Sequence, residues 1–262
     1  MFKKLLVGII GVATLALSAC NGRVKMGHYA DADKYVVGSQ TYEGAVNNIN
    51  IDWISGEITL IEDESINGVK IEEVNELNDK EKVHSYFHDK TVDIKFMESG
   101  LSAVINKEDK KLTVTYHPGL ENLNIDLTSG TINADKLTVN KIVLDYTSGK
   151  CVVGEAICET FNCDFTSGSL EISSLDVKNY KCKYTSGNIM TRFHSLENAD
   201  IDFTSGRAIL STPEKGATIS VDKTSGKLEV KREHVDQDGK IVIGDGSAII
   251  DIDFTSGEVY VY

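Results

Sequence analysis

Seven aspartates, Asp52, Asp126, Asp145, Asp164, Asp202, Asp222 and Asp253, each stand four residues before the glycine of a Ser-Gly pair, and Lys183 holds that place in an eighth copy. In every copy the acidic position alternates with apolar neighbours, so on an extended chain it faces outward. Like charges about a strand spacing apart are unfavourable unless something compensates them. One compensation is Ca²⁺, a hard cation that takes several oxygens, with Asp126, Asp145, Asp164 and Asp202 as its ligands. The other is local: each carboxylate accepts hydrogen bonds from the amides of its own Thr-Ser-Gly corner, and Lys183 relieves the row midway. Two carboxylates on neighbouring copies could also serve acid/base chemistry. The copies are tight and lack the long loops that would wall a catalytic cleft, so no enzyme, catalytic residue or obligatory cofactor is expected.

The remaining reactive residues read as structural. Cys151, Cys158, Cys163 and Cys182 include no CxxC pair or nearby histidine set, which argues against zinc. Cys163 and Cys182 occupy one offset in consecutive copies, where they stack as buried thiols or pair as a disulfide. His84 and His88 would share a face of a helix. Tyr146, Tyr184, Phe165, Phe203 and Phe254 share an inward offset and are expected in the core, although aromatic rows also make carbohydrate platforms.

The phrase that positions these side chains recurs as IDWISG at 51–56, IDLTSG at 125–130, LDYTSG at 144–149, CDFTSG at 163–168, CKYTSG at 182–187, IDFTSG at 201–206, VDKTSG at 221–226 and IDFTSG at 252–257. Its glycines are Gly56, Gly130, Gly149, Gly168, Gly187, Gly206, Gly226 and Gly257, and from Gly130 the steps run 19, 19, 19, 19, 20 and 31 residues. At offsets −7, −5, −3, +2 and +4 from these glycines, only Lys223 and Thr191 are not hydrophobic. Alternation on both sides of a glycine predicts strand, tight corner, strand, with the glycine supplying φ > 0. A weaker pair at +7 and +9 adds a third strand. The expectation is an all-β, single-stranded parallel β-solenoid (β-helix) with about 19 residues per coil, each strand pairing with its equivalent in the next coil.

Residues 1–19 read as a signal peptide: Lys3 and Lys4, an apolar run from Leu5 to Leu17, and a small-residue ending. The run is too short for a spanning helix. Leu17-Ser18-Ala19-Cys20 resembles a bacterial lipoprotein box, which implies acylation of Cys20 and a membrane partner on the extracytoplasmic side. Residues 20–44 read as the lipidated cysteine and a flexible tether. Losing two lysines takes the formal charge from −13 to −15, which excludes attraction of the acidic rod to nucleic acid or to anionic membrane surfaces. Within the domain at 45–262, residues 61–121 break the register. They are expected as irregular strands capping the N-terminal end, with Asn75 to Lys90 an exposed loop or short helix, and Glu98-Ser99-Gly100 is not expected to form a coil. Residues 122–262 are the regular coils. The stretch Lys231 to Ala248 predicts a projecting loop or hairpin, and the ending at Tyr262 predicts an unpaired last strand.

The opening INIDWISGEITL, the strands TVDIKF and KLTVTYHPGLENLNIDL, and the near-identical coils that follow resemble the bacterial putative-adhesin family of β-strand repeats, a domain of unknown function. That resemblance implies a cell-envelope β-solenoid and supplies no active site. The resulting expectation is a non-enzymatic envelope lipoprotein: a scaffold or adhesin-like surface for an unidentified envelope protein or glycan. The alternatives are a Ca²⁺-dependent or carbohydrate-binding module using the aspartate row, and an envelope-stress regulatory partner.

Overall fold

A computed structural model of the chain describes residues 23–74, 77–105 and 110–262. Among these residues the structure is all-β, with a short 3-10 turn at Ala32–Lys34 and no α-helix. The strands are β1 (Arg23–Lys25), β2 (Val36–Val37), β3 (Gln40–Glu43), β4 (Asn48–Glu62), β5 (Gly68–Glu73), β6 (His84–His88), β7 (Thr91–Lys95) and β8 (Ser102–Val104). They continue as β9 (Lys111–Tyr116), β10 (Leu120–Ser211), β11 (Gly216–Lys223), β12 (Lys227–Val230), β13 (His234–Gln237), β14 (Lys240–Gly244) and β15 (Ala248–Val261). Extended backbone runs straight through the corners, so β10 alone spans 92 residues. The long sheet is mostly parallel, and the apolar offsets form one continuous buried core.

The Ser-Gly glycines stack in a column. Gly168 has φ 142°, and a Cβ there would lie 2.1 Å from the Gly149 carbonyl oxygen. Gly149 stands in the same relation to Gly130, and Gly187 to Gly168. Only a residue without a side chain allows the layers to approach this closely. Inside the corner, the rings of Tyr146, Phe165, Tyr184, Phe203 and Phe254 lie face to face at 4.7, 4.9, 4.7 and 5.0 Å, within 4° of parallel. The hydroxyls of Tyr146 and Tyr184 are buried without a hydrogen-bond partner. Leaving such a group unpaired costs ~1–3 kcal/mol, whereas burying 150–250 Å² of ring at ~25 cal/mol per Å² contributes ~4–6 kcal/mol. The rings therefore stay inside.

The layers do not follow chain order at either end. β15 pairs in parallel with residues 198–210 of β10 on one side and with β11 and β12 on the other. The glycine column agrees, since Gly257 stacks on Gly206 and Gly226 on Gly257. The final strand is thus clamped between two layers, which corrects the expectation of an open edge at Tyr262. The reason lies in the inward row: Phe254 continues the aromatic stack from Phe203, whereas Lys223 in the intervening copy needs the solvent of the end position. β13 and β14 form an antiparallel hairpin around Asp238-Gly239, and β14 covers β11.

The opposite end mirrors this arrangement. β4 pairs with residues 122–134 of β10 on one face and with β7 and β9 on the other. Residues 91–116 therefore form a full layer, contrary to the expectation drawn from Glu98-Ser99-Gly100. The inward row is Val92, Ile94 and Phe96, then Leu112, Val114 and Tyr116, all buried. An insertion at the corner separates the two halves and hides the period. Among the described residues nine layers result: two before, five within β10 and two after.

Antiparallel strands close this end, with β6 on β7, β2 on β6, β5 on β9 and β3 on β5. Residues 84–88 are accordingly a strand, with His84 and Ser85 buried, and not an exposed loop or helix. Nor are residues 23–44 a flexible tether. β1 pairs with β8 in the corner insertion, Met26 is buried, and Tyr29 donates from its hydroxyl to the Met97 carbonyl at 3.2 Å. These contacts use the backbone groups that a bare end layer would leave unpaired.

Candidate functional site

The outward face of the first strand in each layer carries the aspartate row. Register places it as Lys95, Asp52, Asp126, then Asp145, Asp164 and Lys183 at the 19-residue step, then Asp202, Asp253 and Asp222. Lys95 Nζ lies 3.4 Å from Asp52 Oδ2, and Lys183 Nζ lies 3.3 Å from Asp202 Oδ2. Between these two pairs Asp126, Asp145 and Asp164 make no hydrogen bond or ion pair among the described residues. The expected bonds from each carboxylate to its own corner amides are therefore not formed.

An open cleft of about 300 Å³ lies over the start of this row, lined by Asn50, Ile51, Asp52, Lys95, Asn124, Ile125, Asp126, Val143 and Asp145. Burial, then the charges of Asp52 and Asp145, push Asp126 up to about 6, with Lys95 opposing. Asp145 is raised by burial and by Asp164. Asp164 is raised by burial, while Lys183 pulls it down and Asp202 pushes it up. Of the four aspartates expected as ligands, Asp126 and Asp145 share the cleft, Asp164 follows one layer on, and Asp202 is held by Lys183. Among the described residues no group of three His, Cys, Asp or Glu side chains is close enough to hold a metal ion.

Sequence reasoning missed the polar ladder beside the row. Asn124 Nδ2 donates to Asn50 Oδ1 at 2.8 Å, Asn50 Nδ2 donates to Asp93 Oδ1 at 2.8 Å, and Asp93 Oδ2 meets His88 Nε2 at 2.8 Å. A parallel ladder runs from Asn122 Nδ2 to Asn48 Oδ1 at 2.7 Å and from Asn48 Nδ2 to Thr91 Oγ1 at 3.1 Å. The available signal was the repeated Asn-x-Asn at 48–50 and 122–124 in outward phase. These bonds fix each amide, so the cleft wall is rigid and carries its polar groups in set orientations.

Nothing in the sequence pointed to Lys110. Its side chain is fully buried, its Nζ pairs with the Glu73 carboxylate, and it donates to the Glu81 and Phe96 carbonyls at 2.8 Å each. The ammonium also lies 4.4 Å from the Phe96 ring centroid and 5.0 Å from that of Trp53. Burial lowers its pKa and Glu73 opposes the shift. With three acceptors the ammonium is satisfied, so Lys110 locks the corner insertion to β5 and is not a free nucleophile.

All four described cysteines are free thiols; Cys151, Cys163 and Cys182 are buried, and burial pushes Cys151 and Cys158 up to about 12. Such thiols behave as small hydrophobes and are inert at neutral pH. Cys20 lies outside the described residues.

The model of the Toastrack DUF4097 family matches residues 46–260. The chain belongs to this family. No curated protein matches it. Among solved structures, this Toastrack chain is similar to a putative adhesin from Bacteroides fragilis NCTC 9343, at 13% identity and a TM-score of 0.49, over 87% of this chain and 97% of that one. A putative adhesin from Parabacteroides merdae ATCC 43184 shares 15% identity at a TM-score of 0.45, over 91% and 100%. A putative lipid binding protein from Parabacteroides distasonis ATCC 8503 shares 12% identity at 0.43, over 86% and 97%.

Proposed function

We propose that this Toastrack protein is a non-enzymatic bacterial envelope lipoprotein, held through an acylated Cys20 on the extracytoplasmic side of a membrane. Its stacked layers form one β-solenoid of about 19 residues per coil that acts as a scaffold presenting an adhesin-like face. The observation that carries this reading is the outward row at Asp126, Asp145 and Asp164, left unpaired beside an open cleft while the interior is filled by side chains. Such a surface recognises an extended partner by contacts repeated at the layer spacing of ~4.8 Å. A cell-wall glycan or an envelope protein with cationic or hydroxyl groups at that repeat fits it.

The test uses the chain from residue 20 with Cys20→Ser, titrated against cell-wall glycans and envelope proteins. Saturable binding lost in Asp126→Asn/Asp145→Asn/Asp164→Asn supports the row as the binding face. Binding unchanged by that triple substitution would remove it. A second reading, Ca²⁺ held between layers, rests on the same unpaired carboxylates. It predicts a melting temperature that rises in millimolar Ca²⁺ and returns with EDTA.

A further inference from the structure

We infer that the β1–β8 ribbon is a membrane seat, which holds one end of the protein against an anionic phospholipid surface and points the other end away. The inference rests on the acylation of Cys20 proposed above. Only Asn21 and Gly22 separate that cysteine from β1, so three Cα steps of 3.8 Å allow at most about 11 Å between the anchor and Arg23. Because β1 is paired to β8 instead of forming a spacer, the folded end layer must sit at headgroup depth. No length of chain remains to lift it clear.

The exposed side of the ribbon has the composition that this position requires. Arg23 pairs with Val104 and Lys25 with Ser102, and all four are exposed, while Val24 and Ala103 turn inward. Val104 is 64% exposed, an apolar side chain that water does not favour and an acyl boundary does. Arg23 and Lys25 make no ion pair among the described residues, and both carry the sign of charge that lipid phosphates attract. The mature chain otherwise carries a large negative excess and is repelled by the same surface. A cationic, partly apolar ribbon next to the anchor and an acidic body beyond it give the molecule an upright orientation. In the sheet order β14 and β13 then lie nine and ten strand spacings beyond β7, roughly 43 and 48 Å away.

The experiment uses the full acylated chain reconstituted into vesicles of zwitterionic and anionic phospholipid with brominated acyl chains, which quench indole fluorescence on contact. Val104→Trp and Val235→Trp place an indole at the seat and in β13; the native positions are 64% and 61% exposed, and buried Trp53 is common to both. Quenching at least about two-fold stronger in V104W than in V235W is expected, and Arg23→Glu/Lys25→Glu in the V104W background should remove most of that excess. Equal quenching in V104W and V235W, with the diacylglycerol mass present on the protein, overturns the seat and leaves the lipoprotein reading standing. Excess quenching unaffected by the double charge reversal overturns the electrostatic basis. An intact mass without the acyl group overturns both readings.

Discussion

Replacing Gly168 by alanine tests whether the glycine column sets the distance between layers. Gly168 has φ 142°, a conformation that costs a residue with a Cβ ~1–3 kcal/mol. The new Cβ would also stand 2.1 Å from the Gly149 carbonyl oxygen, 2.9 Å from its nitrogen and 3.1 Å from its carbonyl carbon. All three are backbone atoms, so no side-chain rotation relieves the clash, and the layers must part by about 1 Å at that corner. Parting weakens two or three interlayer hydrogen bonds, each contributing ~1 kcal/mol. Together the terms give ~3–6 kcal/mol, or a fall in Tm of roughly 10 °C or more for a domain of this size. Gly119→Ala is the control: its φ is 91°, but a Cβ there meets nothing within 4 Å. It should cost only the backbone strain. Urea unfolding of both variants, followed by Trp53 fluorescence, supplies the comparison. If G168A and G119A agree to within about 0.5 kcal/mol, close approach is not what selects glycine, and the argument for the column fails.

The pH response follows from Asp126, whose folded pKa is raised to about 6. Its contribution to stability is fully present below the unfolded value of ~3.9 and is lost as pH rises through about 6. Solvent reaches this side chain, so the effect is at most about 1 kcal/mol; calorimetry from pH 4.5 to 7.5 should show it in the wild type and not in Asp126→Asn, and a pH-independent difference between the two would refute it. Lys110→Met strands a buried Glu73 carboxylate and should cost ~3–5 kcal/mol. The double variant Lys110→Met/Glu73→Gln should recover part of that loss in a denaturation cycle, and a fully additive double variant would contradict the pairing. Ending the chain at Gly246 removes the penultimate layer, so hydrogen exchange should show that residues 216–230 lose protection as well. Retained protection there would mean that the last two layers stack in chain order.

The repeat was legible in the sequence because one residue type does one job at one offset: a glycine where layers touch, an aromatic ring inside the corner, an acid outside. What was hidden is the order of the layers, and the reason is physical. Alternation states which side of a strand is dry but not which strand lies beside it, and Asp202 would accept either Asp222 or Asp253 as neighbour. The discriminating residue was Lys223, a charge on the inward row. It is tolerable only where the column ends, so the copy that carries it had to be terminal and the copy carrying Phe254 had to lie beneath it. The N-terminal layer was obscured in a different way. Its inward row of Val92, Ile94 and Phe96 is as regular as any other, but the corner glycine is displaced by an insertion whose buried lysine has no pattern to betray it. The aspartate row was visible at once, yet its partners were not. Lys95 belongs to that displaced layer and Lys183 is the exception in the repeat; they pair with Asp52 and Asp202, while Asp126, Asp145 and Asp164 between them, and Asp253 and Asp222 beyond, have no ion pair among the described residues. A strictly periodic row would have neutralised none of its charges or all of them. Two lysines in the row hold Asp52 and Asp202 and so break its charge into segments, and only the one at position 183 could be read from the repeat itself.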